Sequence, residues 1–217
     1  MTTAGADQGK RERPVLIGVT GNIACGKSTV MGMLGELGAE LIDADAVYHE
    51  LIAPHRPLWH ALQARFGDAI VSSDGTIDRR ALGAIVFADP AALAKLDRIT
   101  HPAVITAIRD RVAGIQGRVV AVDAVKLIES GMAPLCDAVW LVTCDRAQQI
   151  SRLVERNGLS RADAERRVAA QPPTDGKLSV VDVVIDNSGS MKRTRDQVVA
   201  AWNNLVPGTP PGAKADA

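Results

Sequence analysis

The sequence predicts a three-layer α/β fold: a parallel five-stranded sheet with helices on both faces, a helical insertion and a helical lid. Three observations predict it. Short apolar runs rich in β-branched residues recur along the chain, with helical patterns between them. The segment Gly21-Asn22-Ile23-Ala24-Cys25-Gly26-Lys27-Ser28 stands between the first such run and the first helical pattern. One connection, from about 57 to 115, is far longer than a plain crossover and reads as mostly helical.

Val15–Val19 is an apolar run with the look of a buried strand, and Val30, Met31, Leu34 and Leu37 then recur at helical spacing. Glu40–Ile42 is a weaker strand, followed by Asp43-Ala44-Asp45 and a helix around Ala46–Leu51. Within the long helical stretch Asp74-Gly75 marks a turn, and His101-Pro102 begins the helix that runs to Ile115. Val119–Val122 and Val139–Val142 are the next strands. The stretch Arg146 to Ala170 carries Arg146, Arg152, Arg156, Arg161, Arg166 and Arg167, and Asn157-Gly158 breaks it into a helical hairpin. Val181–Ile185 is the last strand. Residues 1–13 are polar and read as a disordered arm; 14–206 form the folded domain; 207–217, rich in Pro and Gly, read as a disordered tail.

The chain has 217 residues, enough for one α/β domain with an inserted lid. Its 25 basic residues balance 25 acidic ones, which argues against a nucleic-acid partner, as does an aromatic content of 3%. The three cysteines, Cys25, Cys136 and Cys144, form no C-x-x-C pair and no zinc spacing. Sparse, odd cysteines suit a reducing compartment. There is no signal-like apolar segment and no run long enough to span a membrane, so the expectation is a cytoplasmic protein without a membrane partner.

The glycine-rich segment fits G-x-x-x-x-G-K-[ST], the loop that cradles phosphate. Glycines let backbone N–H groups turn inward around phosphate oxygens, and the following helix adds its positive end. Lys27 reaches β- and γ-phosphates, Ser28 holds Mg²⁺, and Thr29 sits near the α-phosphate. Asp43 and Asp45 follow a strand at the end that faces the ligand crevice of a parallel sheet. One reading makes Asp45 the carboxylate that takes a proton from an incoming hydroxyl, with Asp43 in support or in the metal shell. The other makes one of them a helix N-cap. Arg118-Val-Val-Ala-Val-Asp123 ends an apolar strand in an acid, the pattern of an aspartate near Mg²⁺. Arg152 and Arg156 share a helix face and either converge on transferred phosphate or form a solvated lid surface. Cys25, at a helix N-terminus, either fills a small-residue slot or makes the loop sensitive to thiol oxidation.

Taken together, these motifs resemble dephospho-coenzyme A kinase, a P-loop kinase, over about Val15 to Leu205. The stretches that carry the resemblance are IGVTGNIACGKST, LIDADAVYHEL, GTIDRRALGAIVF, LDRITHPAVI, CDAVWLVTC, QQISRLVERNGLS and VVIDNSGS. The resemblance implies ATP- and Mg²⁺-dependent phosphorylation of the ribose 3′-hydroxyl of dephospho-coenzyme A, the last step of coenzyme A synthesis. It implies Asp45 as base and Gly21 through Thr29 as the nucleotide loop. Arg152 or Arg156 become lid arginines, and Arg79 and His101 line or support the acceptor side. The chain departs from the family at Ala24, usually glycine, and at Val125-Lys126, usually Pro-Leu; Lys126 either faces substrate phosphate or lies on the surface. The expected partner is the small-molecule substrate, with the chain a monomer or a weak homo-oligomer. Two other classes compete. A nucleotide switch is disfavoured because no Asn-Lys dipeptide exists here, and a nucleic-acid-stimulated ATPase because net charge is zero. Another small-molecule kinase differs only in its acceptor.

Overall fold

A computed structural model describes residues 13–172 and 174–207. The expected arm residues 1–12 and tail residues 208–217 lie outside the described residues. Arg13, read as the end of the arm, instead donates to both carboxylate oxygens of Asp137 at 2.7 and 2.6 Å. Asp137 also accepts from the Leu16 N–H at 2.8 Å, so the entry to the first strand is tied down.

Five strands form one parallel sheet in the order β2-β3-β1-β4-β5. They are β1 (Val15–Gly21), β2 (Glu40–Asp43), β3 (Val119–Asp123), β4 (Ala138–Thr143) and β5 (Val183–Asp186). All five were legible as β-rich runs. The last begins two residues later than its apolar pattern, at Val183 rather than Val181. The helices are α1 (Lys27–Glu36), α2 (Ala44–Leu51), α3 (Pro57–Phe66), α4 (Arg79–Ala88), α5 (Pro90–Gly114), α6 (Arg146–Asn157), α7 (Arg161–Ala169), α8 (Asp175–Leu178) and α9 (Met191–Leu205).

Strand alternation sorts the core into two layers. Ile17, Val19, Ala121 and Trp140 turn to one face and pack with Met31 and Leu34 of α1 and Val198 and Trp202 of α9. Leu16, Val120, Val122 and Val139 turn to the other, against Val47 of α2 and Ile108 of α5. Gly18 faces this second layer, where a Cβ would stand 2.7 Å from both the Cys136 sulfur and a Leu127 methyl; only glycine fits. The long connection builds its own core from Trp59, Leu62, Ile70, Leu82 and Val86. A smaller cluster joins Ile150, Leu153 and Ala164 of the α6–α7 hairpin to Ile23 and Ala24, so the hairpin packs on the β1–α1 loop. Gly158, left-handed at φ 62°, ends α6 as the Asn-Gly signal predicts.

His101-Pro102 corrects the sequence reading. It does not begin a helix: Pro102 lies inside α5, a continuous helix of 25 residues that starts at Pro90 under an Asp89 N-cap. An interior proline removes one helical hydrogen bond and costs about 3 kcal/mol. Packing of α5 against α2, α3 and α4 outweighs that local cost.

The β1–α1 turn demands unusual backbone. Gly26 is left-handed at φ 91°, and a Cβ there would stand 2.1 Å from the Asn187 amide nitrogen. Ala24 is left-handed too, at φ 58°, a conformation that costs a residue with a Cβ about 1–2 kcal/mol. Glycine gives back part of that advantage as unfolded-state entropy. Ala24→Gly is therefore expected to raise stability of the nucleotide-free protein by about 1 kcal/mol, read from urea unfolding. An unchanged or lower midpoint would show that Ala24 carries no strain.

Candidate active site

The carboxyl ends of β1, β2 and β3 lie side by side, where parallel sheets bind ligands. Register pairs Asp43 with Asp123 across β2 and β3, and Val19 with Asp123 across β1 and β3. Lys27, the first residue of α1, has its Nζ 3.8 Å from the Asp123 carboxylate. Burial pushes the Asp123 carboxyl above its ordinary value; Lys27 pulls it down, while Asp43 and Asp45 push it up again. One cation and three carboxylates thus share one sheet edge.

Of the two readings of Asp43 and Asp45, the N-cap belongs to Asp43. Asp43 is the N-cap of α2, its Oδ1 accepting from the N–H groups of Asp45 at 2.8 Å and Ala46 at 3.2 Å. Asp45, in the first turn, is exposed and lines a cavity of about 430 Å³. That cavity is mostly apolar, walled by Tyr48, Phe87, Leu96, Val104, Ile105 and Met132, with His101 and Lys126 among its polar groups. Lys126 is half-exposed and holds both Asp97 oxygens at 2.9 Å. His101 Nε2 lies 3.3 Å from Asp97, and burial lowers its affinity for a proton. Arg79 heads α4, exposed and outside the lining of this cavity, close enough to counter the upward push of burial on the Tyr48 hydroxyl.

A second cavity, of about 820 Å³, is lined by every loop residue from Asn22 to Thr29 together with Asp123, Arg152, Arg156 and Asn187. Ser28 is exposed beside Lys27, and Val125 borders both cavities. Arg152 is braced, donating to Ala24 O at 3.1 Å, Gln148 Oε1 at 3.0 Å and Asn187 O at 3.1 Å. Arg156, one turn on, is exposed. Among the described residues no group of three His, Cys, Asp or Glu side chains could hold a metal ion. Ser28 and Asp123 suit Mg²⁺ instead, a hard cation that takes one or two protein oxygens and fills its shell with phosphate and water.

Sequence reasoning missed the residues that hold the loop from behind. Asn187 Nδ2 donates to Cys25 O at 2.8 Å and is itself fixed by the Thr194 hydroxyl at 2.9 Å. Gln149 Nε2 donates to Ile23 O at 3.0 Å, and Gln171 Oε1 accepts from Ile23 N at 2.9 Å. Lys177, 7% exposed, pairs with Glu129 at 3.2 Å and links the segment after the hairpin to the segment after β3. The one local signal was Asp186-Asn187 at the carboxyl end of a strand, the position at which ligand-facing residues collect.

No described helix is long and apolar enough to cross a membrane. The dephospho-CoA kinase family model matches residues 15–193. The chain is 45% identical over 199 residues to a dephospho-CoA kinase of Geobacter metallireducens, covering 90% of this chain and 99% of that one. It is 48% identical over 190 residues to a dephospho-CoA kinase of Symbiobacterium thermophilum, covering 86% and 80%. A solved structure from Thermus thermophilus, TT1252, superposes with a TM-score of 0.78 at 30% identity, covering 91% of this chain and all of the other. With a phosphate-type loop, an adjoining apolar cavity and a match of this extent, the chain belongs to the dephospho-CoA kinase family.

Proposed function

We propose that the protein transfers the γ-phosphoryl group of ATP to the ribose 3′-hydroxyl of dephospho-coenzyme A, giving coenzyme A and ADP, the final step of coenzyme A biosynthesis. The observation that carries this reading is the pair of cavities that meet at Val125 in a chain of this family, one lined by the loop and Lys27, the other by Asp45. ATP fits the larger cavity, its β- and γ-phosphates on the loop amides and Lys27. The acceptor fits the apolar cavity, with its hydroxyl toward Asp45.

Each side chain then has a physical task. Asp45 accepts the hydroxyl proton and aims the oxygen at the γ-phosphorus. Asp43 acts through the helix cap, which sets the direction of Asp45. Arg152, already braced, and Arg156, still exposed, neutralise charge on the transferred group. Ser28 and Asp123 would hold Mg²⁺, which when bound neutralises charge between the β- and γ-phosphates. Lys126 and His101 border the acceptor, while Arg79 stands farther out on the acceptor side.

The direct test is mass spectrometry of product after incubation with ATP and dephospho-coenzyme A, with AMP and shikimate as alternative acceptors. Phosphate on shikimate or AMP, and none on dephospho-coenzyme A, would overturn the acceptor assignment. Lys27→Ala is expected to lower turnover by at least about 100-fold, since the β/γ-phosphates lose their cation. Asp45→Asn is expected to lower kcat by about 100- to 10,000-fold with ATP binding retained. Turnover equal to the parent would remove Asp45 from the role of base.

Asp123 gives a stability test with a defined sign. Its carboxyl is harder to ionise folded than unfolded, so the ionised form destabilises the fold at neutral pH. That cost fades as pH falls through the folded-state value and is gone below the unfolded value, about 3.9. Asp123→Asn should raise the urea midpoint of the nucleotide-free protein at pH 7, should lose that advantage in acid, and should turn over poorly. A variant less stable than the parent at pH 7 would show that the Lys27 pair outweighs burial.

A further inference from the structure

Two cysteines meet beneath the phosphate loop, and the transfer reaction uses neither. Cys25 is 4% exposed in the core cluster under α1, and Cys144, just after β4, packs partly buried against that cluster. The Cys144 thiol lies 3.8 Å from the carbonyl oxygen of Ala24, the residue before Cys25. Gln149 Nε2 donates to the Cys25 sulfur at 3.2 Å. Cys144, Gln149 and Lys27 lower the Cys25 thiol, Cys144 being the largest influence; Cys25 in turn raises Cys144, which keeps its proton. Cys25 is one of the residues that line the larger cavity. Cys136 lies on the opposite face of the sheet beside Gly18 and Leu127, and burial raises its thiol.

We propose that Cys25 and Cys144 form an oxidation site, at which a hydroperoxide converts the two thiols into a disulfide that closes the loop to nucleotide. The Cys25 thiolate attacks the outer peroxide oxygen. The O–O bond breaks, an S–OH group forms, and the alkoxide leaves as alcohol with the proton that Cys25 gave up. The Cys144 sulfur then attacks the Cys25 sulfur. The S–S bond forms, the S–O bond breaks, and hydroxide departs as water with the Cys144 proton. Two thiols lose two electrons in all, and the peroxide bond gains them.

The bond would hold the two β-carbons about 3.8 Å apart. Cys25 stands next to Gly26, and its carbonyl is tied to Asn187, whose own N–H donates to Thr143 beside Cys144. Pulling Cys25 toward Cys144 therefore turns the loop amides away from a common centre. The effect on turnover rests on the loop being the ATP site; the disulfide does not.

The test treats the full chain with tert-butyl hydroperoxide, with and without ATP, and reads peptide mass and binding of a fluorescent ATP analogue. The expected product is a Cys25–Cys144 cross-linked peptide lighter by two hydrogens. Fragment ions distinguish it from a Cys136 link, since Cys136 shares the tryptic peptide with Cys144. Nucleotide binding should be lost in the linked fraction, restored by dithiothreitol and protected by ATP. Cys144→Ser should keep basal transfer and form no link, and Cys136→Ser should link as the parent does. An oxidised parent without the link, or a linked chain that binds nucleotide like the reduced one, overturns the proposal. A link in a chain that binds no nucleotide even when reduced upholds the oxidation site and overturns the ATP assignment.

Discussion

The hydrogen bond from the Asn187 side chain to the Cys25 carbonyl is the contact on which the site depends. A phosphate loop must turn its N–H groups toward the ligand, so its carbonyls point backward and need buried partners. Asn187 supplies one at 2.8 Å, Gln149 supplies another on Ile23, and Arg152 a third on Ala24. All come from the C-terminal half of the chain. The loop is short and holds Ala24 in a left-handed conformation, and these donors over-determine its shape.

The same contacts explain why the arginine-bearing hairpin sits where it does. Ile150 and Leu153 bury against Ile23 and Ala24, while Arg152 on the same helix braces the loop. Apolar packing and charge placement therefore use one helix. Arg156, a turn later, is exposed.

Across the sheet edge the logic is electrostatic. Asp43 and Asp123 are register partners, and Asp45 follows Asp43 by two residues, so negative charge accumulates opposite Lys27. Such an arrangement is costly without a bound cation, and sites tuned for ligands carry costs of this kind. The neighbouring apolar cavity is charged only at Asp45 and where Asp97 meets Lys126 and His101.

The sequence by itself determined the strands, the loop and the hairpin break, because period-two and 3.6-residue patterns and Asn-Gly or Gly-Lys-Ser punctuation are local properties. It also marked Lys27, Ser28, Asp43, Asp45, Asp123, Arg152 and Arg156 as chemistry-bearing residues. Local signals failed where packing outweighed them: Pro102 reads as a helix start, yet the contacts of α5 carry the helix through it. Only the tertiary structure decided that Asp43 caps and Asp45 stays free, that Ala24 is left-handed, and that Asn187, Gln149 and Gln171 hold the loop. The supports of the loop depend on side chains more than a hundred residues apart being brought together by the register of β1, β4 and β5, and no local pattern encodes that separation.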